Sequence, residues 1–348
     1  MAQLMTTFNA PPEPQDLRQT AALAWLAAVL PVAPAVLVPA SGDASFRRYF
    51  RVFDGERPLI LMDAPPDLEP VDNFLRVARW LAACGLHVPA VLAEERAAGF
   101  LLLEDLGSTS YFDALKASPA RADALYGDAL DALVTLQVAG HRWLDVLPPY
   151  DAALLDREME LFRAWLCGRH LALALTAGEE KMLARTFALL RDAALAQPRV
   201  FVHRDYHSRN LMVCAGANPG ILDFQDAVAG PLAYDVVSLL KDCYLCWPPA
   251  ERARWIARYH ATAAGQGLPV GDLEAFMQAL DLMGVQRHLK AAGIFARLWH
   301  RDGKPGYLAD IPTTLGYIVE LAADRPELAP LAEFLSARVV PALAEAGR

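Results

Sequence analysis

The sequence predicts an α+β fold in two lobes, a small antiparallel β-sheet lobe followed by a larger helical lobe. Two observations lead to this prediction. The first ~105 residues contain about five strand-like runs and one inserted helix, whereas apolar residues after Gly107 recur mostly with helical spacing. One pair of short strands near residues 200–226 interrupts the helices and carries many polar side chains. We therefore predict a strand-rich lobe over residues 1–106 and a helical lobe over residues 107–348.

The first lobe is predicted to begin with a helix that prolines terminate. Residues 21–40 carry no charged side chain, but Pro31, Pro34 and Pro39 would break a membrane-spanning helix. A helix that ends near Leu30, followed by a strand near residues 35–38, explains the segment better. The remaining elements of this lobe are predicted to be strands over 46–53, 58–64, 88–93 and 100–104, and a helix over 70–84 that ends at Gly85.

The second lobe is predicted from apolar residues that repeat every three to four positions. Its helices are predicted over residues 121–140, 151–168, 178–196, 234–246, 250–264, 271–299 and 327–346. The exception is the strand pair, whose strands are joined by the turn "AGANPG".

Charge and cysteine content exclude several classes of protein. The net charge is −9 and no long basic run occurs, so we predict no nucleic-acid or membrane partner, and no obligate protein partner is evident. The five cysteines are an odd number and no secretory signal is recognisable, which predicts the cytoplasm. Cys243 and Cys246 lie in an apolar, helix-like run without a second pair, so core packing is favoured over metal or redox chemistry.

The polar residues of the strand pair predict phosphoryl transfer. "HRDYHSRN", residues 203–210, contains Asp205 and Asn210, and "ILDFQDA" adds Asp223. Transfer to a hydroxyl needs positioning, charge neutralisation by Mg²⁺ and a carboxylate that receives the hydroxyl proton. Asp205 is the candidate base, and Asn210 and Asp223 offer oxygen ligands for Mg²⁺. His203 is expected to brace the loop, and a purely turn-stabilising role for the whole cluster is the structural alternative.

Two segments of the first lobe are candidates for binding a nucleotide. "SGDASFRRYF" lies between two strands, and its backbone N–H groups could cover phosphates, although it contains one glycine and could be a plain hairpin turn. The backbone around Glu104, Asp105 and Leu106 could hydrogen-bond an adenine edge, or could simply be a strand that ends in a turn. The candidate phosphate-loop residues are Ser41, Gly42, Asp43, Ala44 and Ser45.

Three segments, "HRDYHSRN", "ILDFQDA" and "GPLAYDVVSLL", resemble the aminoglycoside phosphotransferase-like kinases, which include choline and homoserine kinases and have a protein-kinase-like fold. "SGDASFRRYFRV", "LMDAPP" and "QRHLKAAGIFARL" resemble one branch more closely. Its members phosphorylate the anomeric hydroxyl of N-acetylmuramate and N-acetylglucosamine in bacterial cell-wall recycling. The resemblance implies ATP and Mg²⁺, with Asp205 as base, Asn210 and Asp223 as metal ligands, nucleotide on the first lobe and a sugar on the second.

A sugar site on the helical lobe would need polar side chains around residues 203–210, the predicted catalytic loop. Arg287, Lys290 and Arg297 fall at helical spacing, so one helix face would carry three cations suited to the lactyl carboxylate of a muramic acid, unless the face is a solvated basic stripe. The candidate sugar-binding residues are His207, Arg209, Gln225, Arg287, Lys290 and Arg297.

One departure from many kinases of this fold concerns the phosphate-binding lysine. The third strand, "LILMDA", contains no lysine and the following helix interior contains no glutamate. We therefore expect Arg47, Arg48 or Arg51 to supply the positive charge at the phosphates, with a solvated hairpin face as the alternative.

Three other functions remain open from the sequence. A pseudokinase would bind nucleotide without turnover, although the intact Asp205, Asn210 and Asp223 argue against it. A metal hydrolase could use His203, Asp205 and His207 as ligands. A kinase could also take another acceptor, such as an aminoglycoside, choline or a different sugar.

Overall fold

A computed structural model of the chain describes residues 14–32, 34, 36–41 and 46–346. The chain forms two compact units, one of Met1–Leu75 with Pro89–Asp105 and one of Arg76–Val88 with Leu106–Arg348. The predicted α+β class is confirmed, with an antiparallel sheet in the first unit and mainly helices in the second. Residues 76–88, which the sequence suggested for the first lobe, group with the second unit.

The described part of the first unit contains a helix, the start of a second helix and a five-stranded sheet. The first helix is α1 (Pro14–Val29), and the strands are β1 (Val38–Ser41), β2 (Arg48–Asp54), β3 (Arg57–Asp63), β4 (Val91–Glu95) and β5 (Phe100–Glu104). Their order in the sheet is β1-β2-β3-β5-β4. Phe50 and Val52 of β2, like the alternate apolar residues of its neighbours, face the same way and pack with Leu26 of α1. Fully burying each such side chain contributes about 1.5–3 kcal/mol.

The second unit consists of helices around one long central helix and four short strands. Helix α2 (Asp72–Ala83) begins in the first unit and continues in the second. The other helices are α3 (Tyr111–Ala117), α4 (Ala122–Ala139), α5 (Ala152–Leu161), α6 (Ala177–Leu195), α7 (Tyr234–Leu240), α8 (Pro249–Gly265), α9 (Leu273–Asp302), α10 (Ile311–Leu321), α11 (Ala329–Phe334) and α12 (Val340–Ala346). The strands are β6 (Arg199–Val202), β7 (Leu211–Met212), β8 (Gly220–Ile221) and β9 (Val228–Pro231).

Helix α9 is the centre of the second unit, and its ends follow from local sequence. Asp272 accepts a hydrogen bond from the N–H of Ala275 at the start, and Gly303 ends the helix with φ +67°. Gly293 lets α9 approach α5 closely, because a Cβ there would lie 2.3 Å from the backbone of Leu161. This close crossing places the middle of α9, with several buried polar side chains, against α5.

The structure differs from the sequence predictions in several places. The predicted 234–246 helix ends at Leu240, because the buried Asp242 turns the chain and accepts hydrogen bonds from the N–H groups of Ser208 and Tyr244. As a result, Cys243 is buried in the core but Cys246 is exposed, so the core-packing prediction is wrong for Cys246. Strand β6 pairs with the unpredicted β9, whereas β7 and β8 form the predicted hairpin. Helices α3 and α10 were not predicted.

The first helix ends just before the prolines of the uncharged run, much as predicted. Helix α1 stops at Val29, two residues before Pro31. In the part of the chain that the structure describes, no helix is both long and apolar enough to cross a membrane.

Candidate active site

The loop between β6 and β7 is held by a buried carboxylate at the start of α7. Asp235 accepts hydrogen bonds from the N–H groups of His203 at 2.6 Å and Arg204 at 3.0 Å. Burial raises the pKa of Asp235 to about 7, although both amide bonds favour its charged form. Arg204 has φ +79°, a strained conformation for a residue other than glycine. Asp235 therefore fixes the backbone of the loop just before Asp205.

His203 braces this loop, as its position in the sequence suggested. Its Nδ1 accepts the N–H of Asp205 at 3.2 Å, which requires a neutral ring nitrogen. Burial lowers the pKa of His203 to about 4, so the ring stays neutral near pH 7. The contact orients Asp205 through its backbone and leaves the Asp205 carboxylate for other contacts.

Asn210 and Asp223 lie together, as the prediction of a metal site requires. The Asn210 amide donates to the carbonyl of Asp205 at 3.0 Å and to the Asp223 carboxylate at 3.2 Å. Gln225, predicted to bind sugar, is buried and donates to the other oxygen of Asp223 at 2.7 Å. Asp223 has φ +60°, in the left-handed region that aspartate tolerates better than most residues other than glycine. Gln225 thus orients Asp223 and does not line the cavity described next.

A small cavity of about 80 Å³ opens beside Asp205 within the second unit. Its walls come from the loop between β6 and β7, from helix α7, from the segment that follows α7, and from helix α9. It is lined by Asp205, His207, Tyr234, Cys243, Tyr244, Arg287, Lys290, Ala291, Ile294 and Phe295. The cavity therefore joins one carboxylate of the catalytic loop to basic and apolar residues of α9.

Cations in this region keep Asp205 ionised. Burial by itself would raise the pKa of Asp205, but four cations, Lys290, His207, Arg204 and Arg287, together lower it below its ordinary value. Arg204 in turn donates to Glu158 at 2.5 Å. The carboxylate of Asp205 is therefore available as a proton acceptor at neutral pH.

Lys290 is neutralised by partners inside the protein. Its Nζ lies 3.1 Å from the carboxylate of Glu158 and donates to the hydroxyl of Tyr234 at 2.8 Å. Glu158 is 4% exposed and also accepts hydrogen bonds from Tyr150 and Arg204. Lys290 is thus held in a buried network at the edge of the cavity.

The other predicted sugar-binding residues differ in their positions. His207 is buried, lines the cavity and leaves its Nδ1 without a hydrogen-bond partner in the described chain. Arg209 stacks on the ring of Tyr244 at 3.8 Å, outside the lining. Arg297 is half-buried on α9 and also lies outside the lining, so the predicted face of three cations brings only Arg287 and Lys290 together at the cavity.

In the first unit, each of the three candidate arginines contacts a carboxylate. Arg47 lies 2.7 Å from Glu69, and Arg51 pairs with Asp105 through two hydrogen bonds of 2.5 and 3.1 Å. Arg48 donates to the buried Asp63, which also accepts a hydrogen bond from Arg18 at 2.9 Å. Gly42, Asp43, Ala44 and Ser45 lie outside the described residues, as does the side chain of Ser41 in β1.

The predicted adenine contacts lie at the end of β5 and just beyond it. Glu104 is the last residue of β5, and its carboxylate accepts the N–H of Ala90 at 3.2 Å. The carbonyl of Leu106 lies 3.6 Å from the thiol of Cys214. The roles of Glu104, Asp105 and Leu106 in nucleotide binding stay predictions.

The structure adds residues that the sequence analysis did not assign to the site. Tyr234, Cys243 and Tyr244 line the cavity, and Glu158 supports it from α5. The run "AYDVVSLLKDCY" gave a partial signal, because aromatic residues flank its buried helix. Glu158 gave none, since acidic residues at this spacing are usual on solvated helices.

The hydrolase interpretation lacks its metal site. Within residues 14–32, 34, 36–41 and 46–346, no group of three or more His, Cys, Asp or Glu side chains could hold a metal ion. His203 is instead committed to the backbone of Asp205.

Residues 36–273 match the model of a family described as the phosphotransferase enzyme family. The chain belongs to this family. It is therefore an enzyme of the phosphotransferase class, and the kinase resemblance drawn from the sequence is confirmed.

Curated relatives extend the match over nearly the whole chain. N-acetylmuramate/N-acetylglucosamine kinase of Pseudomonas aeruginosa is 49% identical over 326 residues, covering 90% of this chain and 94% of the relative. The protein of the same name from Neisseria meningitidis is 41% identical over 311 residues, covering 88% of this chain and 92% of its own.

Solved structures support the fold. A choline kinase from Streptococcus pneumoniae has a TM-score of 0.60 at 11% identity, covering 87% of this chain and 98% of its own. The ADP-bound aminoglycoside phosphotransferase APH(2'')-Ib has a TM-score of 0.57 at 16% identity, covering 88% of this chain and 98% of its own.

Proposed function

We propose that the protein is an ATP- and Mg²⁺-dependent kinase that phosphorylates the anomeric hydroxyl of N-acetylmuramate, N-acetylglucosamine or both. The product would be the sugar 1-phosphate of bacterial cell-wall recycling. The observation that carries the proposal is the position of Asp205, an ionised carboxylate in the wall of a cavity lined by basic and aromatic residues. The names of relatives up to 49% identical support the choice of sugar. Five free cysteines favour the reducing cytoplasm as its compartment.

Asp205 would act as the general base. A sugar hydroxyl in the cavity would donate its proton to the carboxylate as its oxygen attacks the terminal phosphorus of ATP, whose bond to the bridging oxygen breaks so that ADP leaves. The N–H contact to His203 and the amide contacts of Asp235 keep the loop in place during this step. Phosphoryl transfer depends mainly on how well the protein positions the hydroxyl and the phosphate.

The residues around Asp223 fit a divalent cation. Both amide hydrogens of Asn210 are donated, which leaves its side-chain oxygen as a ligand beside the Asp223 carboxylate. Oxygen ligands of this kind suit Mg²⁺. When bound, Mg²⁺ would neutralise charge on the phosphates of ATP.

We predict that Gln225→Ala raises the Mg²⁺ concentration needed for half-maximal activity. Gln225 orients Asp223, and removing a residue that supports a metal ligand weakens metal binding by about 10–100-fold. Asn210→Ala should have at least this effect. Magnesium titrations of ATPase-coupled turnover would measure both. Unchanged titration curves in the two variants would refute the metal assignment.

We predict that Arg48→Ala raises KM for ATP. Arg48 and Arg18 share the carboxylate of Asp63, so this cluster holds one positive charge in excess that could meet a phosphate. Losing a charge-assisted hydrogen bond costs about 1.5–3 kcal/mol, or roughly 10-fold or more in binding. The control is Arg57→Ala, at an exposed position of β3. Equal KM values for both variants would exclude Arg48 from the phosphate site.

The function is tested by ADP release over a panel of acceptors at fixed ATP and Mg²⁺. We expect turnover with N-acetylglucosamine and N-acetylmuramate and none with choline or an aminoglycoside. Turnover with choline or an aminoglycoside alone would identify a kinase of another acceptor. ATP binding without turnover on any acceptor would favour the pseudokinase.

A further inference from the structure

The cavity beside Asp205 contains a buried cation, Arg287, which Asp205 and Asp242 attract without forming an ion pair with it. Arg287 is 6% exposed and lines the cavity from α9. Its Nε has no hydrogen-bond partner in the described chain, and its Nη1 donates to the thiol sulfur of Cys243 at 3.6 Å. Sulfur is a weak acceptor. Within the described residues, Arg287 forms no ion pair.

The neighbouring cation is in the opposite situation. Lys290, one turn further along α9, has both Glu158 and the hydroxyl of Tyr234 within hydrogen-bond distance. A ligand would have to compete with Glu158 for this ammonium group. Of the two cations at the cavity, Arg287 is therefore the one left for a ligand.

A buried guanidinium that forms no ion pair is costly, so Arg287 points to an anion that binds there. Arginine's planar fork suits a carboxylate or a phosphate. The cavity lining includes Asp205 but neither Asn210 nor Asp223. In the proposed function the phosphates of ATP would bind beside those two metal ligands, whereas Arg287 shares the cavity with Asp205 and with apolar side chains, Ile294 and Phe295 included.

We infer that Arg287 binds a carboxylate carried by the sugar, so that the site favours an amino sugar with a 3-O-lactyl acid over its neutral counterpart. The methyl group of the lactyl acid would meet the apolar wall next to Arg287. This inference rests on the proposed sugar-kinase function and specifies which group of the acceptor sugar the site recognises.

The test compares three acceptors on four proteins. The acceptors are N-acetylmuramate, its lactyl methyl ester and N-acetylglucosamine; the proteins are wild type, Arg287→Met, Arg287→Lys and Arg301→Met. Methionine fills a volume similar to part of the arginine, and lysine keeps the charge. Arg301 is a matched control because it lies on the same helix with its side chain 54% exposed.

We expect Arg287→Met to lower kcat/KM for N-acetylmuramate by roughly 10–150-fold, the effect of losing a charge-assisted hydrogen bond. The loss on N-acetylglucosamine should be smaller by about tenfold or more, because Arg287 acts on Asp205 with either sugar but can pair with a carboxylate only in N-acetylmuramate. Arg287→Lys should retain part of the preference. Esterification should cost the wild type a similar factor and Arg287→Met almost nothing. Arg301→Met should behave like wild type. Equal losses on both sugars would mean that Arg287 contacts the transferred phosphate and would overturn the inference.

Calorimetric binding separates this inference from the proposed function. Wild type should bind N-acetylmuramate more tightly than its methyl ester, and Arg287→Met should bind the two alike. If the wild type binds the ester more weakly but turns over no sugar, the kinase proposal is wrong and the carboxylate site stands. If it turns over the sugars but binds the acid and the ester alike, the carboxylate site is wrong and the kinase proposal stands. Arg287→Met should also unfold at a temperature no lower than wild type, since it removes a buried charge that forms no ion pair.

Discussion

Asp205→Asn is expected to lower kcat by about 100–10,000-fold, the usual contribution of a general base, while ATP binding survives. The carboxylate lines the cavity, and nearby cations hold its pKa below the ordinary value, so it is ionised when a hydroxyl must lose its proton. Asparagine has the same shape but cannot accept that proton at neutral pH. The fold should be unaffected, because the backbone contacts of the loop run through His203 and Asp235.

Asp226→Asn is the matched control for this change. It is the same chemical substitution on an exposed carboxylate three residues after Asp223. Single-turnover rates and nucleotide titrations of both variants would separate chemistry from binding. A loss below tenfold in Asp205→Asn, or an equal loss in Asp226→Asn, would remove Asp205 from the role of base.

Glu158→Gln is expected to destabilise the protein by about 3–5 kcal/mol, the cost of removing one partner from a buried ion pair. Glu158 is 4% exposed and contacts both Lys290 and Arg204. Glutamine keeps the shape but removes the charge, so two buried cations lose their common carboxylate. Both of these cations also act on Asp205, so turnover should fall with stability.

Glu160→Gln provides the comparison on the same helix. Glu160 is 43% exposed and pairs with Arg163 at the surface, so its loss should cost less than about 1 kcal/mol. Urea unfolding of the two variants and of wild type would measure the difference. Similar midpoints for the two variants would show that Glu158 does not hold the network together. In the double variant Glu158→Gln/Lys290→Met, part of the loss should be recovered.

The catalytic loop could be predicted because its residues are close in sequence. Asp205, Asn210 and Asp223 span one loop and one hairpin, and strand-like apolar runs on both sides fix where they lie. Likewise, period-two apolar residues in β2 and helical repeats in α9 are strong local signals. Most of the helices follow from such patterns alone.

Contacts between residues far apart in the sequence determine the features of the site that could not be predicted. Glu158 meets Lys290 from 132 positions away, and this contact determines which cation of α9 is neutralised. Helix α7 looked longer than it is because the polar contacts of Asp242 with Ser208 override the apolar pattern after Leu240. The same turn places Tyr244 in the cavity wall, which a continuous helix would not have suggested.

The central claim, phosphoryl transfer to the anomeric hydroxyl, is tested most directly by the position of the phosphate on the product. N-acetylglucosamine labelled with ¹³C at carbon 1 would be incubated with ATP, Mg²⁺ and the wild-type protein, and then examined by ¹³C and ³¹P NMR. We predict that the labelled carbon becomes coupled to phosphorus, and that the Asp205→Asn protein gives no such signal in the same time. A sugar phosphate whose labelled carbon shows no coupling, as in a 6-phosphate, would contradict the claim.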